Sequence, residues 1–546
     1  MKKTPTYTLT GNIIDLRTES IFKGHLYVEN GIIVEIKKDD TIKGVHYILP
    51  GLIDSHIHIE SSMLIPSEFA RLASVHGTVA TVSDPHEIAN VLGVEGINYM
   101  INNGRKVPFK FYFGASSCVP ATPFETAGFE LGVNELDELL SRDEIKYMSE
   151  MMNFPGVINR DKFVMDKLDV AKKYGKPIDG HAPGVKGDDA KKYIEAGITT
   201  DHECYTMEEA LSKISYGMKI QIREGSAAKN FDALVDLIQD HSEDILFCSD
   251  DKHPNDLVEG HINQLVIRAI KKGYDPLKVL KYAILNPIEH YQLDVGTLQV
   301  GDPADMIVVD NLSEFNILET YVNGVLIAKN GKTLIDSVKE TEPNNFHAQP
   351  IKESSICVKP ENQHLKVIEA LDGQLITTID YVSPKILDGN VVSDTSKDVL
   401  KIVVLNRYEQ ASPSIAFIRN FNLKQGAIAS SVAHDSHNIV AVGVDDKDIV
   451  RAINLIIKEK GGVSLVNSSK EMVLPLPVAG LMSAEDGYII AKKYHDIDKE
   501  AHLMGSTLRA PFMTLSFMAL LVIPELKLSD KGLFDGNSFS FTDLFT

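Results

Sequence analysis

From residue 51 to residue 250, short apolar and β-branched runs alternate with segments whose apolar positions recur at helical spacing. The runs predict strands over 52–59, 78–83, 109–115, 146–151, 177–181, 198–202, 218–223 and 245–250. Helical spacing predicts helices over 67–76, 89–103, 161–174, 188–196, 207–215 and 231–241. Residues 144–152 are equally compatible with a helix, so the fourth strand has an open alternative. Such alternation predicts βα units around a parallel sheet. Eight of them in about 200 residues is near the lower limit for a (β/α)8 barrel of the TIM type.

The flanks have a different period. Residues 7–49 show short strands with a hairpin signal at Glu29-Asn30-Gly31, and β patterning returns over 296–310 and 319–327. The simplest architecture joins these pieces into one discontinuous small β-sandwich domain, residues 1–50 plus 295–340, beside a barrel over 51–294. A long amphipathic helix after Asn255 and another over 276–285 lead out of the barrel. A polar stretch around Glu342 to Phe346 reads as a linker, and 346–546 as a separate C-terminal α/β domain.

Composition narrows the function classes. With 55 basic against 76 acidic residues the net charge is -21, which disfavours nucleic acid or an anionic membrane as partner and suits a small neutral substrate. The N-terminus lacks the apolar segment of a secretory signal, and the apolar stretch around 512–523 is too short to span a bilayer. Cys118, Cys204, Cys248 and Cys357 are widely spaced, with no C-x-x-C, so neither a disulfide framework nor a thiolate zinc site is indicated. The expectation is a cytoplasmic protein.

Candidate chemistry sits at the strand ends, where barrels of this type carry their working residues. His56 and His58 stand two apart in Pro50-Gly-Leu-Ile-Asp-Ser-His-Ile-His-Ile-Glu60, so both rings share one face of a strand. By itself an H-x-H is a weak signal. The other strand ends add Glu150, His181 in Asp-Gly-His-Ala-Pro-Gly, His202 in Thr-Asp-His-Glu and Asp250 in Cys-Ser-Asp-Asp. Four imidazoles and two carboxylates suffice to hold two divalent ions with a bridging carboxylate. Imidazole plus carboxylate without thiolate suits manganese, iron or zinc.

In this order, H-x-H, strand-four ligand, two single histidines and strand-eight aspartate, the chain resembles the amidohydrolase superfamily. Within it the chain resembles the metal-dependent adenine deaminases of bacteria and archaea. The supporting stretches are 50–63, Ser83-Asp-Pro-His-Glu-Ile-Ala-Asn-Val91, 150–157, 180–184, 223–228 and Ser249-Asp-Asp-Lys-His-Pro254. In the last domain they are His434-Asp-Ser-His-Asn438 and 474–483, so the likeness covers essentially the whole chain. Val79-Ala80 is a mild departure in a stretch that is threonine-rich in the family.

The resemblance implies hydrolytic deamination of free adenine to hypoxanthine and ammonia, by a hydroxide bridging two divalent metals, in purine salvage and adenine catabolism. Manganese is the favoured ion, with ferrous iron or zinc as alternatives, and a homo-oligomer, dimer or higher, is expected. The implied ligands are His56, His58, Glu150, His181, His202 and Asp250. Glu150 is the bridge, where other branches use a carboxylated lysine. Asp250 is the general acid/base, and His202 is assigned as a ligand, with an electrophilic role as its alternative. Arg223, His86, Asp84 and Ser226 follow strands seven and two and are the expected substrate contacts, although Asp84 and Glu87 would also suit a helix N-terminus. Asp251 and Glu203 are expected to orient the inner groups. His434-Asp-Ser-His437 reads as a loop closing the barrel mouth, with a further metal pair or a plain polar turn as alternatives. The rival functions are a cyclic amidase or N-acyl amidohydrolase using the same metals, and a non-catalytic purine-binding scaffold.

Overall fold

The computed structural model describes residues 6–44, 46–361 and 363–546. Residues 1–5, on which part of the leader reading falls, lie outside the described residues.

The central strands are Leu52–His58, Thr78–Ser83, Lys110–Phe113, Met148–Met151, Ile178–Gly180, Thr200–Asp201, Lys219–Arg223, and Ile245–Cys248 continued by Asp250–Asp251. All of their pairings are parallel. Ladders join the eighth strand to the first, second and third, the fourth to the fifth, and the sixth through the seventh to the eighth. A parallel bridge between Ala115 and Met148 links the third to the fourth, and the Thr199 N–H to Ile178 carbonyl bond (2.8 Å) links the fifth to the sixth. Each strand thus neighbours the next in sequence, and Asp250 and Asp251 lie beside Ile57 and His58. Leu52–His58, Thr78–Ser83 and Ile245–Cys248 are buried at every position, as parallel strands covered on both faces require.

The fourth segment is a strand, not a helix. Two expected helices are broken at glycines. The 89–103 helix is two, His86–Leu92 and Val94–Gly104, hinged at Gly93 with φ of 62°. The long helix after Asn255 is Pro254–Glu259 and Ile262–Lys271, parted at Gly260. In both cases the apolar period runs on through a residue that has no side chain to hold helical geometry. Periodicity alone hides such breaks.

Strands of residues 7–50 and 306–333 share one eight-stranded sheet. It curls so that Tyr7 stacks on Tyr321 at 5.5 Å, enclosing a small core that includes Leu26, Ile33, Ile48 and Met306. The C-terminal part is built on a second eight-stranded sheet, flanked by Asp446–Glu459 and Gly487–Leu503. It packs on the rim of the central strands. Ser483 exchanges backbone hydrogen bonds with Met63 (2.9 Å) and Ile65 (3.3 Å), and one apolar core runs from Leu52 and Ile57 through to Val440 and Leu515. Among the described residues no helix is long and apolar enough to cross a membrane.

Candidate active site

The first strand delivers His56 and His58 side by side, with their Nε2 atoms 3.2 Å apart. The His58 Nδ1–H faces the Asp84 carbonyl at 3.3 Å, a contact that leaves Nε2 as the lone-pair side. Asp54, two residues before His56 and therefore on the same face, was not singled out from the sequence. It accepts the His56 N–H (3.2 Å), the Ser249 N–H (3.0 Å) and a contact from His261 Nε2 (2.8 Å), tying the first strand to the eighth directly below the ligands. The D-x-H-x-H period carried that information.

Around these histidines the other strand ends converge. Glu150 Oε2 lies 3.0 Å from His181 Nδ1 and 3.1 Å from His202 Nε2, while Oε1 lies 3.5 Å from His58 Nε2. The His202 ring stacks on His56 at 4.1 Å. Asp250 Oδ1 lies 3.3 Å from His58 Nε2 and 3.7 Å from His56 Nε2. Asp250 holds φ of 56°, a left-handed conformation that costs a non-glycine residue energy and aims its carboxylate inward. Burial pushes the Glu150 carboxyl up, but His181 and His202 outweigh it and hold it well below the usual carboxylate range. Burial acts on Asp250 in the same direction, and the Arg223 charge overrides it, so this carboxyl is also held well below its ordinary range.

The Arg223 guanidinium bonds Asp250 through Nη1 and grips Glu203 through Nη1 (2.5 Å) and Nη2 (2.9 Å). Four of its five N–H groups sit on the two nitrogens that face carboxylates, while the buried Nε–H meets no partner among the described residues. Glu203 in turn lies 3.6 Å from His181 Nδ1 and 3.4 Å from His202 Nε2, which fits the orienting role expected of it. Ser226 is not brought into the cluster. Its hydroxyl donates to Asp256 Oδ2 (2.5 Å) and accepts the His253 N–H (2.9 Å), so it shapes the loop after the seventh strand.

Beneath His181 and His202 lies a buried ammonium. Lys213 Nζ donates to Asp201 Oδ2 (2.9 Å), Glu209 Oε1 (2.8 Å) and the Ala182 carbonyl (2.7 Å). Lys213→Met is expected to cost about 3–5 kcal/mol by urea denaturation, since two buried carboxylates lose their counter-charge. Burial raises the Asp201 carboxyl, but Lys213 outweighs it and leaves it depressed in the folded state. Its contribution is therefore complete above the unfolded value of about 3.9 and is lost only as pH falls further. A variant as stable as the parent at pH 7 would remove this ion pair from the account.

The second strand's end forms a second wall. Asp84 accepts the His86 N–H (3.0 Å), and its Oδ2 lies 3.2 Å from His86 Nδ1; His86 Nδ1 is also 3.6 Å from Glu150 Oε1. Glu87 is not a helix cap. Its Oε1 faces His434 Nδ1 (3.1 Å) and the Ser61 hydroxyl (3.1 Å), and Ser61 also donates to Asp251 Oδ1 (2.5 Å). Burial, with the neighbouring Glu87 charge, lifts the Glu60 carboxyl to about 8. The 434–437 segment thus reaches the rim from the C-terminal sheet, with His434 stacked on Phe517 and Asp435 Oδ1 3.4 Å from His86 Nε2. Glu60 and Ser61 were not singled out from the sequence, although they directly follow the H-x-H and that proximity was a signal for them; nothing local marks Asp435 as a neighbour of His86.

The donor set fits divalent metal. His56, His58 and Asp250, and separately His56, Glu150 and His202, present ligand atoms within 4.8 Å of one another, all buried and without sulfur. His58, Asp84, His86 and Glu150 form a further such group. Chains of buried imidazoles and carboxylates this close are costly unless cations or protons compensate them.

Residues 47–327 match the amidohydrolase family model, and residues 374–540 match that of the adenine deaminase C-terminal domain. The chain is 56% identical over 536 residues to an adenine deaminase of Sulfurovum sp. (strain NBC37-1), covering 98% of this chain and 99% of that one. It is 52% identical over 542 residues to an adenine deaminase of Salinibacter ruber, covering 99% of each, and 45% identical to one of Parabacteroides distasonis with 100% of both covered. Matched from end to end by relatives about half identical to it, this chain belongs to the adenine deaminase family of the amidohydrolases.

Proposed function

We propose that this protein hydrolyses free adenine to hypoxanthine and ammonia, using a binuclear metal site at the C-terminal rim of a closed (β/α)8 barrel. The observation that carries this reading is Glu150. One carboxylate faces His181, His202 and His58 together, in a chain whose whole length matches adenine deaminases. The barrel would span 51–294, with the discontinuous β domain over 1–50 and 295–340 and a C-terminal domain over 346–546 as its lid.

His56, His58, Glu150, His181, His202 and Asp250 would hold the two ions, manganese by family likeness. Bound there, such ions supply an acidified water and polarisation of the ring. The remaining chemistry belongs to the chain. Asp250, kept ionised by Arg223, accepts the proton of the attacking water as oxygen adds to C6, and returns it to the exocyclic nitrogen as the C6–N bond breaks. Glu203 fixes Arg223 and faces His181 and His202, so the base keeps its position through the cycle. The 434–437 segment and Phe517 cover the rim and exclude bulk water, which strengthens each of these contacts.

Ammonia release by the manganese-loaded protein tests the reading. We expect ammonia from adenine, with no ring opening of hydantoin and no amino acid freed from N-acyl amino acids. Ring opening of a cyclic amide or release of the amino acid from an N-acyl compound, with silence toward adenine, would establish the amidase reading instead. Silence toward both in a fully metallated sample would leave a scaffold.

A further inference from the structure

Around the 434–437 segment several buried carboxylate oxygens, together with ring nitrogens of His86 and His437, lack hydrogen-bond partners among the described residues. Glu87 Oε2, Glu125 Oε2 and Asp435 Oδ2 are buried and meet no hydrogen-bond donor within the described residues. Unpaired buried acceptors are expensive, so their presence at a rim points to a ligand that brings N–H groups. These carboxylates are not equivalent. Glu87 already accepts from Ser61 and faces His434, and Glu125 accepts the Thr122 hydroxyl (3.2 Å). Asp435 has only His86 Nε2 at 3.4 Å and His434 Nδ1 at 3.9 Å near one oxygen, and nothing at the other.

Its position matters as much as its vacancy of partners. His86 lies between the two carboxylates, with Nδ1 3.6 Å from Glu150 Oε1 and Nε2 3.4 Å from Asp435 Oδ1. Glu150 and Asp435 are therefore one imidazole apart. A purine lying alongside the His86 ring, with its C6 end at the ligand cluster, would bring its five-membered ring to Asp435. Segment 434–437 is held there by His434, which contacts Glu87 and stacks on Phe517, and by Asn438, whose amide donates to the Thr126 carbonyl (2.9 Å).

We infer that Asp435 is a specificity-determining residue: it accepts the azole N–H of the free base, so the C-terminal domain selects purines unsubstituted at that nitrogen. The inference rests on the adenine reading above. A carboxylate aimed at an N–H loses its bond and meets a bulky group when that nitrogen carries a methyl or a sugar, and such sites reject the analogue strongly.

The test uses the full-length, manganese-loaded protein with adenine and 9-methyladenine, in which the azole N–H is gone. The parent is expected to prefer adenine in kcat/KM by on the order of 10²-fold or more. In Asp435→Ala and the shape-conserving Asp435→Leu, neither of which can accept the azole N–H, that preference is expected to collapse to within a few-fold. The collapse comes from loss of adenine activity while metal content and melting temperature stay at parental values. Retention of the parental preference in both variants overturns the inference. A parallel decline for both substrates with loss of metal does so too, because it assigns Asp435 a structural role through His86. A parent that releases no ammonia from adenine refutes the underlying reading instead, so the two failures are distinguishable.

Discussion

Glu150→Gln is expected to abolish adenine hydrolysis, by on the order of 10⁴-fold or more, and to lower bound metal from the two ions per chain proposed above to one or none. The glutamine has the shape of the glutamate but neither its charge nor its second acceptor. In the native chain Oε2 serves His181 at 3.0 Å and His202 at 3.1 Å while Oε1 approaches His58 at 3.5 Å. An amide nitrogen in place of either oxygen presents hydrogens to imidazole nitrogens and cannot span two ligand groups. Metal analysis by mass spectrometry beside an ammonia assay separates the effects. A variant that keeps both ions and parental turnover would show that the site is organised around another residue.

Asp250→Asn is expected to lower kcat by roughly 10²–10⁴-fold even at saturating manganese, the usual scale for removing a general base. Its pH behaviour distinguishes a base from a mere ligand. Arg223 overrides the effect of burial and holds the native carboxyl well below the ordinary range. The acid limb of kcat/KM set by this group therefore lies below the ordinary aspartate value of about 3.9. Activity requires the ionised form, so it persists as pH falls toward that value and is lost beneath it. Arg223→Met removes the largest charge opposing burial, leaving only His58 and His202 against it, and moves the acid limb upward. An acid limb unmoved in Arg223→Met would detach Asp250 from the proton transfer.

How far these residues were legible follows from which contacts are local. The H-x-H needed only the two-residue period of a strand, and Asp54 lies on the same face by the same rule. Glu150, His181, His202 and Asp250 were legible because parallel strands end on one rim, so residues at the ends of different strands meet without further specification. The sixth strand, only Thr200–Asp201, shows the limit: its short ladder depends on neighbours, although His202 still arrives where a longer strand would place it. The carboxylate partners of Arg223, Glu203 and Asp250, were not legible because they come from other strand ends. An unpaired guanidinium and a clamped one look the same along a chain.

The alternation of apolar runs with helical periods by itself determined a parallel α/β core. The ligand types at its strand ends determined that the chemistry is that of imidazole and carboxylate. Both follow from backbone periodicity, which repeats locally and needs no partner. The tertiary structure alone decided which carboxylates are spent and which remain open. Arg223 is gripped by Glu203 and Asp250, one oxygen of Glu87 meets Ser61 and His434 while its other stays unpaired, and Asp435 is brought from the C-terminal sheet to His86 with an oxygen still unpaired. Charge pairing and hydrogen bonding act over a few ångströms regardless of separation along the chain, so only the folded arrangement assigns the partners.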